Sequence, residues 1–265
     1  LFLKWENGEE HKVDMAHGAY RVPTLRFDQI EEVLTIARAA RKGEIPPSEG
    51  LQQLEAMWRT PHYYGNAGFV AGYLLTTMGV AVMLRPSPNG LLVTALMAFV
   101  CALMLVAARR RPSLAVMLPV VVSFFLAAAV SLGYRYGLTE PAFTLLIPPL
   151  ITFLPGMTLT VSVIELAYNS IISGASRMVA GFTRLILLAF GILGGFKVFE
   201  HGAWHLSQSM DDRIAPWWPW FGVLMFTFGL HIYQSSKRRS FVFMLITAAM
   251  AYVGQTLSGL VIEGA

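Results

Sequence analysis

Charge and cysteine are what this sequence is short of. Only 14% of its 265 residues are charged and 55% are hydrophobic, with a mean hydropathy of +0.55, a balance that does not furnish an ordinary soluble domain with a polar surface. The single cysteine, Cys101, lies inside an apolar run, which excludes an internal disulfide and a cysteine-built zinc site. Lys and Arg number 20 against 16 Asp and Glu, a surplus too small and too scattered for a nucleic-acid partner. No phosphate-binding or dinucleotide-binding glycine pattern occurs at a strand-to-helix junction, so an ATP-driven pump has no support and no cofactor is expected. The chain opens on Leu1 without a basic, short-apolar leader, and a truncated start is expected. What it holds in abundance is long apolar runs.

Charge divides the chain near Pro61: residues 1–61 hold 18 of the 36 charged side chains. In this polar part Asn7-Gly8 tolerates the positive φ of a tight turn, so residues 1–6 and 11–15 are expected to form a β-hairpin. Asp28 and, three residues on, Glu31 read as an N-cap with its reciprocal acid. Ile30, Val33, Leu34 and Ala37 then repeat at helical spacing up to Gly43. Pro46-Pro47-Ser48 opens a second amphipathic helix with Leu51, Leu54, Met57 and Trp58 on one face. The two helices are expected to pack on each other or on the membrane face.

Seven apolar stretches follow, at about 66–84, 90–108, 113–133, 142–168, 178–199, 217–234 and 240–262, each judged against the roughly 20 residues that a bilayer-crossing helix needs. The breaks are polar or helix-breaking: Arg85 to Asn89, Arg109 to Pro112, Tyr134 to Gly137, and Ser235 to Arg239. The connection 200–216 is longer and returns through Trp217, Trp218 and Trp220, as an aromatic interface belt would. The expected fold is therefore all-α and polytopic, about seven transmembrane helices with a small cytoplasmic α+β segment. The divisions are 1–61 cytoplasmic, 62–199 a first five-helix unit, 200–216 a connection and 217–265 the start of a second, incomplete unit. With residues 1–61 inside, the inner loops carry Arg109, Arg110, Arg111, Arg177, Lys237, Arg238 and Arg239, and the outer ones Arg85, Arg135, Lys197 and Arg213. Seven cations against four predict a cytoplasmic N-terminus.

In the fourth stretch Pro148-Pro149 and Pro155-Gly156 predict a broken helix, because proline removes an N–H and clashes with the preceding turn. At membrane depth an unwound segment either is a simple kink or offers half-helix ends to ions and anionic groups. Beyond the break, Thr158, Ser162, Glu165 and Asn169 recur at i, i+4, i+7 and i+11, a polar stripe with one acid. An intramembrane carboxyl there takes up and releases a proton or holds a cation; the alternative is a fixed pair with Arg177 or Arg184 near the membrane edge. Ser170 to Arg177 reads as a small-residue turn in which Ser173 or Ser176 caps the next helix, whose N-terminus favours an anion. His201 and His205, at i and i+4 beside Glu200, lack a third ligand, so no metal is assigned. Gly72, Gly79, Gly191, Gly194 and Gly195 suit close helix packing, and Gln255 a bridge between helices.

Leu154-Pro155-Gly156-Met157-Thr158-Leu159-Thr160, then Glu165-Leu166, then Ile172 to Arg177 resembles the signature of the threonine/serine exporter family, and the resemblance extends upstream to Asp28–Trp58 and downstream to Trp217–Ser258. It implies about ten membrane helices in two units of five and export of L-threonine and L-serine driven by the proton gradient. Pro155, Gly156, Thr158, Thr160, Ser162, Asn169, Ser173 and Gly174 then bind substrate, Glu165 couples protons and Arg177 is its charge partner. The partners are the amino acid, protons and the lipid bilayer of an inner or plasma membrane. The three helices the second unit lacks are expected from a truncated remainder or from a complementary subunit, and a homo-oligomer is equally compatible. The alternative is a non-transporting assembly or signalling subunit; an enzyme is not expected, because in the polar segment Ser48, His11, His17 and the acids form no nucleophile, base and orienter set.

Overall fold

The computed structural model describes residues 2–7, 10–15, 25–84, 87–109, 114–137, 145–198 and 217–263, without the side chains of 2–15, 47, 58–59, 114–116 and 259–263. Gly8, Arg85-Pro86, Arg110 to Pro112 and the 200–216 connection with His201 and His205 lie outside the described residues. The chain forms two units, Leu1–Arg59 and Thr60–Ala265.

In the first unit β1 (Phe2–Asn7) pairs antiparallel with β2 (Glu10–Met15), Phe2 opposite Met15 and Asn7 opposite Glu10. Helices α1 (Phe27–Arg41) and α2 (Pro47–Arg59) follow. The N-cap of α1 is Arg26 rather than Asp28: the Gln29 side chain accepts the Arg26 N–H at 3.1 Å, and Asp28, inside the first turn, pairs with the Arg26 guanidinium at 2.9 Å. An acid within the first turn still complements the helix dipole. The two helices pack on each other through Ile36 and Met57, with Gln29 Nε2 donating to the Met57 carbonyl at 3.3 Å. Leu51, expected on this face, is exposed.

The second unit is wholly helical among its described residues. It comprises α3 (Gly65–Met83), α4 (Pro88–Arg109), α5 (Leu114–Arg135), α6 (Ile147–Leu150) running into a 3-10 turn at Ile151–Phe153, α7 (Gly156–Ala167), α8 (Ile171–Val198), α9 (Trp218–Tyr233) and α10 (Arg238–Glu263). By length and composition α3, α4, α5, α8 and α10 are each long and apolar enough to cross a membrane. The segment Ile147–Phe153 with Gly156–Ala167 passes the same test as a bent pair. Large apolar side chains point outward at helical spacing: Leu92, Leu96, Phe99 and Leu103 on α4, and Val179, Phe182, Ile186, Phe190 and Leu193 on α8. Glycine, alanine and hydroxyl residues such as Gly90, Thr94, Ala98 and Ala102 fill the inner face of α4. That distribution is the reverse of a soluble bundle and matches helices solvated by lipid, where close backbone approach replaces the hydrophobic drive.

Helices α3 and α9 approach each other at backbone distance. A Cβ on Gly72 would overlap the backbone of Tyr233, and one on Gly79 the backbone of Phe226. Reciprocally, one on Gly222 would press on the carbonyl of Gly79 and on Met83, and one on Gly229 would overlap Thr76. The contacts run in opposite chain directions, so the helices are antiparallel. Gly72, Thr77 and Gly79 recur as Gly222, Thr227 and Gly229, and α4 follows α3 across the same four-residue gap by which α10 follows α9. The pair therefore has an approximate two-fold relation visible in sequence and contacts alike. On the other flank, Gly191 lies against Val120 to Phe124 and Gly195 against Phe124 to Ala128, which makes α5 and α8 parallel.

The boundary between α7 and α8 differs from the expectation. Helix α8 begins at Ile171, so Ser173 and Ser176 lie within it instead of capping it, and the turn shrinks to Tyr168–Ser170 with Asn169 at φ 60°. Glycine and serine have low helix propensity, but here their small size seats α8 on α7: Gly174 meets Leu166 and the Ser162 carbonyl, and Gly181 meets Leu159. Tertiary packing overrides propensity.

The glycine crossing yields a matched test. Gly79→Ala forces α3 off α9 and should lower stability by about 1–3 kcal/mol, whereas Gly254→Ala, where a Cβ meets nothing within 4 Å, should be neutral or stabilise by about 0.5–1 kcal/mol. Thermal unfolding of both variants in detergent checks this; equal shifts would remove the crossing as a stabilising contact.

Candidate functional site

The break between α6 and α7 follows from its prolines. Pro148 and Pro149 occupy the first turn of α6, where missing N–H groups cost nothing. Pro155 has no N–H to return to Ile151, so the Ile151 carbonyl instead accepts from Leu154 N at 3.3 Å and closes a 3-10 turn. Leu154, preceding a proline, is extended at φ −65° and ψ 128°. Helix α7 restarts at Gly156, and the two segments are bent by 45°. No side chain caps the new N-terminus, so the N–H groups of Gly156, Met157 and Thr158 have no intrahelical acceptor. Pro155 is buried, Thr158 half-buried, and Gly156, Met157 and Thr160 exposed. A Cβ on Gly156 would meet nothing within 4 Å, so there is open space at this end of α7.

A hydrogen-bonded node holds the other side of the break. The Tyr73 hydroxyl, on α3, donates to the Pro149 carbonyl on α6 and lies 2.9 Å from Cys101 Sγ on α4. Tyr73 and Cys101 are fully buried. Sequence reasoning gave Cys101 only an excluding role and passed over Tyr73. The available signal was a tyrosine within an apolar span, which needs a partner for its hydroxyl.

The acid lies elsewhere. Glu165 is two residues from the end of α7, at the turn into α8, and not well inside a span. Its carboxylate receives Arg177 Nε at 3.0 and 3.1 Å and Ser173 Oγ at 2.8 Å. The Arg177 side chain is 51% exposed and that of Glu165 23%. The predicted pair is thus formed with Arg177. The predicted stripe is only partly assembled: Thr158 and Glu165 lie on α7, but Ser162 is buried against α8 and donates to the Leu159 carbonyl at 2.7 Å. Asn169 lies past the helix end, exposed and in a left-handed conformation. It leaves the stripe because the helix stops at Ala167, and Asn tolerates the conformation that reverses the chain. Ser173 joins the acid, and Gly174 serves the packing of α7 on α8. No group of three or more His, Cys, Asp or Glu able to hold a metal occurs among the described residues.

One end of the bundle gathers a cluster of a different kind. His62 Nε2 donates to the Tyr233 carbonyl at 3.0 Å, its Nδ1 accepting from Tyr64 N at 3.3 Å. Tyr233 stacks near Phe69, and Arg109 lies 3.6 Å over the Phe69 ring. The end of α4, the start of α3 and the end of α9 therefore share one side.

Multiple apolar helices around a proline-broken segment, with small residues at their contacts, define a multi-pass membrane protein with the architecture of a transporter. The family described as "Putative threonine/serine exporter" matches residues 2–199, and the chain belongs to that family. The match ends at the foot of α8, so α9 and α10 lie beyond it. No curated protein and no solved structure matches the chain.

Tyr73→Phe leaves the Pro149 carbonyl buried without this donor and should cost about 1–3 kcal/mol, while Tyr168→Phe, at an exposed position, should stay within about 0.5 kcal/mol of the parent. Thermal unfolding in detergent separates the two; a silent Tyr73→Phe would show that the node does not hold the break.

Proposed function

We propose that this protein is a secondary transporter that exports small hydroxylated amino acids, L-threonine and L-serine, coupled to the proton gradient. The observation that carries the reading is the break at Pro155-Gly156 inside a membrane bundle whose family is that of threonine/serine exporters. An uncapped helix N-terminus at membrane depth favours an anionic group such as a substrate carboxylate. Gly156, Met157 and Thr158 offer it N–H groups, with Pro155 setting the break and Thr160 beside it.

The chain crosses the membrane seven times in this reading. Parallel α5 and α8 fit one crossing between them, which supports reading the bent segment as a span. Antiparallel α3 and α9 fit an even number of crossings between them, the four formed by α4, α5, the bent segment and α8, and this supports reading the short α9 as a span too. The two-fold relation of α3–α4 to α9–α10 fits units of opposite orientation that rock about a shared axis. Residues 1–61 are assigned to the cytoplasm of a cell bounded by this inner or plasma membrane, with the segment α+β in character. Residues 62–199 form the first unit, 200–216 the connection and 217–265 the opening of a second unit. Under that assignment Arg111 and Lys237 lie on one side. Arg111→Cys and Lys237→Cys should both react with an impermeant thiol reagent from the cytoplasmic face only, and labelling from opposite faces would overturn the topology.

Glu165 is the group assigned to proton coupling. Protonation removes the charge that holds Arg177 and Ser173, so loading a proton loosens α7 from α8, and losing it restores the clasp. In proteoliposomes with an imposed pH gradient, the parent should drive labelled threonine flux. Glu165→Gln should abolish the gradient-driven component while keeping the protein folded. Parent protein without gradient-dependent flux would remove the transport reading; a variant at parental rate with unchanged pH dependence would leave Glu165 a structural acid.

A further inference from the structure

A threonine in an apolar helix has a ready hydrogen bond, the carbonyl one turn back. Thr76 takes it, reaching Gly72 O at 2.7 Å, and Thr183, Thr227 and Thr247 do the same at 2.8 Å. Thr77 and Thr94 do not. Each is 0% exposed, and the Oγ1 of each has no hydrogen-bond partner among the described residues. A buried hydroxyl left unpaired forfeits its hydration without return, and here a χ1 rotation would have supplied a partner.

Their positions give these hydroxyls a use. Thr77 is one turn beyond Tyr73 on α3, and Thr94 is two turns before Cys101 on α4. Residues at i and i+4 or i and i+7 share a helix face. Tyr73 and Cys101 touch at 2.9 Å and both approach Pro149 of α6. The two threonines therefore lie on the faces of α3 and α4 that meet around α6, which packs against both helices. With the two helices antiparallel and Tyr73 level with Cys101, the threonines stand about one turn apart, roughly 5 Å along the axis. Thr152, in the 3-10 turn that continues α6, brings a third buried hydroxyl to this place, beside that of Tyr73.

We propose that Thr77 and Thr94, with Thr152 across from them, form the subsite that takes the side-chain hydroxyl of the transported amino acid, in the wedge between α3, α4 and the broken segment. This rests on the transport reading and names its specificity determinants. These three side chains are neutral, which suits an alcohol and not a carboxylate or an ammonium group. An alcohol both donates and accepts, so one substrate hydroxyl satisfies two of them at once. A methyl in its place satisfies none, and sites built this way reject the hydroxyl-free isostere strongly. Tyr73 is already committed to Pro149 and Cys101, and it braces the wall rather than contacting the ligand.

The test compares threonine with valine, its hydroxyl-free isostere. In proteoliposomes under a pH gradient, Thr77→Val and Thr94→Val should each raise the KM for threonine by about tenfold and shrink the preference for threonine over valine as competitor by a similar factor. The serine variants Thr77→Ser and Thr94→Ser should restore both. A KM and a preference within twofold of the parent in both valine variants would overturn the subsite while leaving transport intact. Thermal-shift titration in detergent, with threonine and valine as probes, reports the same site without flux. Threonine should stabilise the parent more than valine does, and the valine variants should lose that difference. Absence of flux with this difference present would sink the transport reading alone; absence of both would sink the two together. Replacing an unpaired buried hydroxyl by a methyl should not lower the melting temperature of the ligand-free protein, so a loss of preference without a loss of stability marks recognition, not misfolding.

Discussion

Backbone contact between α3 and α9 is the constraint on which the bundle depends. In lipid, apolar side chains gain nothing by leaving one apolar surrounding for another, so helices associate where small residues let backbones meet and dispersion contacts accumulate. Gly72 and Gly79 on one helix and Gly222 and Gly229 on the other supply that approach at two levels. A helix from the far end of the sequence is thereby fixed against the first span. Once α3 is held, its other faces are assigned: Tyr73 and Thr77 turn toward α4 and the broken segment, and Phe69 turns toward Tyr233 and Arg109 at the bundle end.

The broken segment is then held unequally. Its first half, α6, is buried and tied by Tyr73 to two other helices, while its second half, α7, packs mainly on α8. A side-chain ion pair joins α7 to α8 at their shared turn. A half-exposed pair of this kind contributes little to stability, about 0–1 kcal/mol, so its chemistry matters more than its strength. Helix α7 reaches the core through α8, which is itself seated on α5 at Gly191 and Gly195, and the break at Pro155-Gly156 is where α7 joins the buried first half. Movement of α7 about that joint would open or close its N-terminal end without disturbing the α3–α9 crossing or the α5–α8 packing.

The glycine recurrence also relates the two ends of the chain. Swapping α3 for α9 exchanges Gly72 with Gly222, Thr77 with Thr227 and Gly79 with Gly229, and it turns each observed contact into another observed one. Thr76 and Phe226 occupy equivalent positions yet differ in size, so the relation is approximate. Tyr73 corresponds to Val223, which has no hydroxyl, and the node at the break is accordingly built on one side only.

Sequence by itself determined the class and the punctuation. Apolar runs of bilayer length predicted the five helices long enough to cross a membrane and the bent segment beside them, and Pro148, Pro149, Pro155 and Gly156 predicted the break, because missing N–H groups and a missing Cβ act locally, whatever surrounds them. The family signature around Pro155-Gly156 was legible for the same reason. Side-chain partnerships were not. The helical period placed Asn169 on a stripe with Glu165, but the helix ended two residues earlier. Ser173 read as a cap and became the carboxylate's donor because α8 extended back to Ile171 to pack its small residues on α7. The N-cap of α1 fell at Arg26 since Gln29 could bond its N–H. Tertiary structure alone decided that the glycines of α3 face α9 across most of the chain's length, that Tyr73 reaches Pro149, and that Thr77 and Thr94 turn their hydroxyls from their own helices. Each of these depends on atoms distant in sequence arriving within a few ångströms, and no local periodicity encodes which distant atoms those are.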